Sequence, residues 1–128
     1  MEKRGMWRNL DVGFDEAFEK LPQALSREGF GVVSQVDVSE TLQKKLGVSF
    51  RKYKIIGACN PTFAHQVLQR DLAIGLLLPC NFVLYEGDDG KAVVGAIDPL
   101  ESLGAGGAEF ADVAHVVREK LERVVRTL

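Results

Sequence analysis

YKIIGACNPTFAHQVLQRDLAIGLLLPCNFVLYEGDDGKAVVGAIDP, residues 53–99, holds both cysteines, three of the four prolines and the clearest strand signals of the 128-residue chain. Three apolar runs frame it, Tyr53 to Ala58, Phe82 to Tyr85 and Ala92 to Ile97, and short runs of this kind bounded by turn residues read as strands. In the first, Tyr53, Ile55, Gly57 and Cys59 alternate with Lys52 and Lys54 before Ile56 and Ala58 make both faces apolar. That strand is wet at its start and buried at its end. Asn60 followed by Pro61 is a cap residue followed by the proline favoured in the first helical position, which predicts a helix from Pro61 to about Leu72. Phe63, Ala64, Val67 and Leu68 share one of its faces. Asp71 to Leu78 is a turn, and Phe82–Glu86 with Lys91–Ile97 forms a hairpin around Gly87-Asp88-Asp89-Gly90.

Towards the N-terminus, Met6 to Val12 alternates as a half-buried strand does. Phe14 to Glu28 switches to helical spacing, with Phe14, Ala17, Phe18, Leu21 and Leu25 on one stripe and Gly29 placed as a left-handed cap. Pro22 removes a backbone donor within that helix, so a kink near Phe18 to Pro22, or a break into two short helices, is expected. Phe30 to Val38 is a strand, and Ser39 caps a short helix from Glu40 to Leu46 that ends at Gly47. Beyond residue 97, a glycine-rich loop covers Asp98 to Gly107 and the longest helix covers Ala108 to Leu128, its apolar residues recurring every three and four positions. These elements make a single α+β domain over residues 1–128, one antiparallel sheet with helices mainly on one face. Both hairpin strands are apolar on both faces. The second face therefore needs a cover, and a homodimer supplies one.

Composition narrows the function classes. Sixteen basic against eighteen acidic residues leave a net charge of -2, without the global attraction that nonspecific nucleic-acid binding uses. The nearest basic stretch, Lys44 to Lys54, lacks interleaved aromatics and reads as solvated surface. No run approaches the ~20 apolar residues of a membrane span, and MEKRGMWRNLDVG lacks the apolar core of a signal peptide. A cytoplasmic protein with no nucleic-acid or membrane partner is expected. In such a compartment two cysteines are buried, metal-bound or redox-active more often than disulfide-bonded.

Cys59-Asn60-Pro61, paired with Leu77-Leu78-Pro79-Cys80-Asn81 and followed by a short strand, an acidic glycine turn and Ile97-Asp98-Pro99, resembles the prokaryotic domain of unknown function 302 family. The helix and Gly29–Val32 segment around Glu28 fit as well, so the resemblance covers most of the chain. It implies a fold, a TATA-binding-protein-like arrangement of strand, helix, four antiparallel strands and helix, and no activity. The glycine-rich Gly104 to Gly107 departs from the family pattern.

Chemistry concentrates at the cysteines. If the strands ending at Cys59 and starting at Cys80 are antiparallel neighbours, the two sulfurs converge at one sheet end, beside the N-terminus of the Pro61 helix, whose free amides favour a thiolate. Cys80 and Cys59 are thus candidate nucleophiles, redox thiols or soft-metal ligands, and His65, beside the apolar stripe of that helix, is a candidate base. The bland alternative is two small buried side chains closing strands. Two isolated cysteines lack the spacing of a metal site, and none is assigned; no motif specifies a cofactor. His115 flanks the stripe of the last helix. Gly104 to Gly107 matches no phosphate-binding fingerprint, and the acids at Glu86, Asp88 and Asp89 are ordinary turn chemistry. Asp98, ahead of Pro99, is a turn starter that the resemblance singles out. The leading expectation is a soluble small-ligand-binding domain with a pocket lined by Cys59, Asn60, Cys80, Asn81 and Asp98. The competing ones are a thiolate-dependent enzyme or redox or metal-binding protein using Cys59 and Cys80, and a structural protein acting through its dimer face.

Overall fold

The computed structural model describes residues 4–103 and 108–128. The elements run β1 (Met6–Asn9), α1 (Phe14–Arg27), β2 (Gly31–Asp37), α2 (Val38–Leu46), β3 (Tyr53–Cys59), α3 (Pro61–Arg70), a 3-10 turn (Leu72–Leu77), β4 (Cys80–Glu86), β5 (Ala92–Ala96), α4 (Pro99–Ser102), a second 3-10 turn (Ala108–Phe110) and α5 (Ala111–Thr127). The five strands form one antiparallel sheet in the order β1-β5-β4-β3-β2. The fold is the α+β arrangement the sequence predicts.

Alternation along each strand divides the sheet into two faces. On one, the paired row Ala96, Phe82 and Ile56 and the row Val94 and Leu84 are buried, beneath α1 and α5, which contact each other and the central strands. α1 is held there by Phe14, Ala17, Leu21, Ala24 and Leu25, and α5 by Val113, Ala114, Val117, Leu121, Val124 and Val125. Arg8 of β1 ties the end of α5 to the sheet. Its Nη1 donates to the carbonyls of Val125, Arg126 and Leu128 at 3.1, 2.7 and 3.1 Å, a cation on the negative end of a helix dipole.

On the other face, the row Trp7, Gly95, Val83, Ile55, Val36 crosses all five strands, and Asn9, Val93, Tyr85, Tyr53 forms the next. Trp7 lies flat over Gly95, where a Cβ would come within 2.5 Å of the indole, so only glycine admits this close approach. No helix of the main core lies over these rows: α1 and α5 carry their buried stripes to the opposite side.

Pro22 sits inside α1, yet the helix is one element from Phe14 to Arg27 rather than two. Pro22 is exposed, between the buried Leu21 and Ala24, so the grip of the apolar stripe on the sheet outweighs the lost backbone bond. Gly29, at φ +82°, closes the helix, with Phe30 N–H reaching the Leu25 carbonyl at 3.0 Å. α2 begins two residues earlier than expected, because Asp37 rather than Ser39 is the cap: Glu40 N–H donates to Asp37 Oδ1 at 3.0 Å. The Glu40 amide and the Ser39 hydroxyl hold the Asp37 carboxyl below its usual range. The glycine-rich stretch Gly104–Gly107 lies outside the described residues. No described helix is long and apolar enough to cross a membrane.

Candidate functional site

The strands carrying the cysteines are neighbours, with Ala58 opposite Cys80 in the β3–β4 register. The chain leaves β3 at Cys59, makes α3 and the Leu72–Leu77 turn, and re-enters the sheet through a cis Leu78–Pro79 peptide at Cys80. This excursion does not pack flat on the sheet. It leaves a cavity of about 300 Å³ between the end of β3, the start of β4, α3 and α5. Ala58, Cys59 and Cys80 form the sheet side, Asn60, Phe63, Ala64, Val67 and Leu68 the α3 side, and Val113 and Val117 the α5 side, with Phe30, Leu103, Leu78 and Pro79 closing the ends. Val33 stands at the rim, 61% exposed. It is the extra residue of a bulge, since the β2–β3 register shifts between Val32 and Ser34, and a bulge re-aims a side chain.

Among the described residues no charged side chain lines this cavity, and its polar groups are few. Both cysteines are free and half-buried. Burial, reinforced by the neighbouring Cys59, pushes the Cys80 thiol up to about 11. The stabilised thiolate expected of Cys80 is therefore not what its surroundings favour, because an apolar wall penalises the anion. Asn60 is committed on both sides of its amide. Oδ1 accepts from Phe63 N–H at 3.4 Å, capping α3, and Nδ2 donates to the Glu28 carbonyl at 3.5 Å. Glu28 is itself clamped by Arg123 of α5, whose hydrogen bond lowers the Glu28 carboxyl below its usual value. Cap, α1 terminus and α5 are thus bound into the frame of the cavity.

The remaining expected residues go elsewhere. Asn81 is one residue beyond Cys80 and so points to the opposite face of the sheet. There it meets Asp98 in a second, more polar cavity of about 340 Å³ that also includes Trp7, Glu101 and Ser102. Asp98 caps α4 through Leu100 N–H at 2.9 Å and pairs with Arg118 Nε of α5 at 3.1 Å, a clamp between the exit of β5 and α5. His65 is on the exposed side of α3 and is not part of either cavity, and His115 is exposed on α5. Among the described residues no three of His, Cys, Asp and Glu gather as a metal site. The basic stretch is engaged within the chain: Lys44 pairs with Glu40, Arg51 with Asp88 and Lys52 with Asp15, while Lys54 lies over the Phe18 ring at 3.7 Å.

Sequence reasoning found the two thiols and the α3 wall of the cavity but missed Phe30, Leu103, Val113 and Val117. The apolar stripe of the last helix was the available signal. It was wide enough to cover both the sheet and the back of α3.

A small antiparallel sheet backed by two long helices, with an apolar cavity where a helical excursion leaves and re-enters it, defines the class of α+β domain. Within that class, the chain belongs to the family described as domain of unknown function DUF302, whose model matches residues 8–128. It is similar to the structure described as "Crystal structure of uncharacterized conserved protein DUF302 from Bacillus stearothermophilus", at 30% sequence identity and a TM-score of 0.88 over 98% of each chain. No curated protein matches the chain.

Proposed function

We propose that this protein is a small-ligand-binding domain that holds an uncharged, largely apolar molecule in the cavity between β3, β4, α3 and α5. The observation that carries the reading is the cavity itself: about 300 Å³, walled by Phe, Val, Leu, Ala and Pro side chains, with Asn60 and two thiols as its polar neighbours among the described residues. That volume falls at the lower end of small-molecule sites. A charged ligand group placed there would lose its hydration without gaining a partner, which costs several kcal/mol. Asn60 is already hydrogen-bonded, so shape and apolar contact select the ligand. The reading in which Cys80 acts as a nucleophile, redox thiol or metal ligand has weaker support, since each of those roles requires an anion that burial of Cys80 opposes.

Titration with the neutral fluorophore phenylnaphthylamine tests the reading. The wild-type protein should give a saturable blue-shifted enhancement, and Ala64→Trp, which places an indole in the cavity from the α3 wall, should weaken it about tenfold or more, a loss of ~1.4 kcal/mol. Circular dichroism establishes that the variant is folded. An absent enhancement, or one unchanged by Ala64→Trp, overturns the proposal.

A further inference from the structure

The second cavity, of about 340 Å³, lies on the helix-free face, where β1 and β4 begin and β5 ends. Its floor and sides are apolar, with Gly95 beneath the Trp7 indole and Val83 and Ile97 beside them. Asp98 borders it, but both carboxylate oxygens are engaged, Oδ1 by Leu100 N–H and Oδ2 by Arg118 Nε. Arg118 therefore meets its charge from behind. Arg4, Asn81, Glu101 and Ser102 also border the cavity, and their polar groups are in a different state. Among the described residues the Arg4 guanidinium, the Asn81 side-chain amide and the Ser102 hydroxyl make no hydrogen bond, and Glu101 uses only Oε1. Asn60 in the first cavity is committed on both sides of its amide; Asn81 is not.

The Arg4 backbone is nonetheless fixed. Gly5 N–H donates to Glu101 Oε1 at 3.4 Å, and the Trp7 indole N–H donates to the Arg4 carbonyl. Gly5 stands at φ +81°, and a Cβ there would lie 2.5 Å from the Ala96 carbonyl oxygen, so only glycine brings the chain this close to the end of β5. A cation and an anion are thus carried to the same end of one cavity, and among the described residues they form no ion pair with each other.

These two charges select the ligand. A simple cation would meet Glu101 but also Arg4, and a simple anion the reverse. A molecule with both charges on neighbouring atoms satisfies the pair at once. A carboxylate matches the planar fork of donors on a guanidinium, and an ammonium donates to the open oxygen of Glu101. We propose that the second cavity binds a free α-amino acid, its carboxylate on Arg4, its ammonium on Glu101 and its side chain over Val83 towards the Asn81 amide. The volume is at the lower end of small-molecule sites, which fits one amino acid and not a folded peptide. This site lies across the sheet from the apolar cavity and does not depend on it.

Trp7 is the single tryptophan of the chain and borders the cavity, so its fluorescence, excited where tyrosine is silent, reports occupancy. Titration of the full chain with L-amino acids other than tryptophan, from micromolar to millimolar concentration, should give a saturable change for at least one of them. For that amino acid, the acid lacking the amine and the amine lacking the carboxylate should each bind about tenfold more weakly or worse. Arg4→Gln and Glu101→Gln, both at exposed positions, should each raise Kd about tenfold or more. Both variants should keep the circular dichroism spectrum and phenylnaphthylamine binding, which separates this inference from the proposed function. Loss of both ligands together would mean a disturbed fold rather than two missing charges, and it overturns the assignment. The absence of a saturable change with any amino acid overturns it too. So does equal binding of the amine or the acid alone, since only one charge would then be read, and so does a Kd indifferent to both substitutions.

Discussion

The two faces of the sheet are built by alternate residues of the same strands, and they differ in composition as well as in cover. Phe82, Leu84, Ile56 and Val94, under α1 and α5, are aliphatic or phenyl side chains at 0 or 1% exposure. Val83, Tyr85, Tyr53 and Trp7, one position along, are half-buried and mostly aromatic with a polar edge. Both faces are apolar. What separates them is that the covered face carries no group needing a hydrogen bond at its centre, whereas the open face presents Tyr hydroxyls and an indole. Trp7 N–H donates to the Arg4 carbonyl. Residues with one apolar body and one polar tip suit a surface that is sometimes wet. Apolar content by itself therefore does not reveal which face is permanently buried.

Neighbouring residues of β4 give the largest contrast. Phe82→Ala removes a fully buried ring between α1 and the sheet and should cost about 3–5 kcal/mol in urea unfolding of the monomer. Val83→Ala, on the open face, should cost about 1 kcal/mol or less at concentrations where the chain is monomeric. Equal losses would mean that the open face is as tightly packed as the helix side, and the distinction between them would disappear.

Much of this arrangement was legible because period and punctuation agree. The alternation of Tyr53, Ile55 and Gly57 against Lys52 and Lys54 gave the correct faces of β3, and Asn60-Pro61 marked the start of α3 where the Asn60 cap stands. The failures have physical causes. Pro22 reads as a kink or a break in the helix; the break does not occur, because five buried residues hold α1 as one element around it. Asp98-Pro99 reads as the start of a loop, yet the same pair is a cap followed by a first-position proline, and it opens the four-residue α4. β4 begins at Cys80 rather than Phe82, since pairing with Gly57 and Ala58 extends it backwards. Cys80-Asn81 reads in the sequence as one site element. A strand sends consecutive side chains to opposite faces, so Cys80 enters the apolar cavity and Asn81 the second one. The α5 wall of the cavity depends on a contact across the sequence that no local pattern contains.

The Cys80 thiol gives the next largest effect and sharpens the comparison from the covered side. Its pKa is about 11 in the folded chain against 9.0 for an ordinary thiol. Between those values the unfolded chain releases the proton and the folded chain keeps it, so stability falls as pH rises from about 9 to 11, by up to about 2–3 kcal/mol. Below 9 both states are protonated and the term vanishes. Lysines and tyrosines titrate in the same window, so the measurement is the difference between wild type and Cys80→Ala, whose slope should be shallower. Parallel slopes would mean that Cys80 is as well solvated as an exposed thiol and does not belong to the covered face.

The smallest expected effect separates the two asparagines that follow the two cysteines. Asn60→Ala removes the cap of α3 and the tie to the Glu28 carbonyl; loss of a cap costs about 1 kcal/mol, and the length of its bonds, 3.4 and 3.5 Å, places it towards the lower part of that range. Asn81 is exposed, and its backbone carbonyl, which accepts Ile97 N–H at 3.0 Å, survives substitution. Asn81→Ala should then stay within about 0.5 kcal/mol of wild type in the monomer, and it leaves phenylnaphthylamine binding unchanged because its side chain lies on the far side of the sheet from the apolar cavity. A loss of probe binding in Asn81→Ala without a loss of stability would place the ligand on the open face instead, and the two cavities would exchange roles.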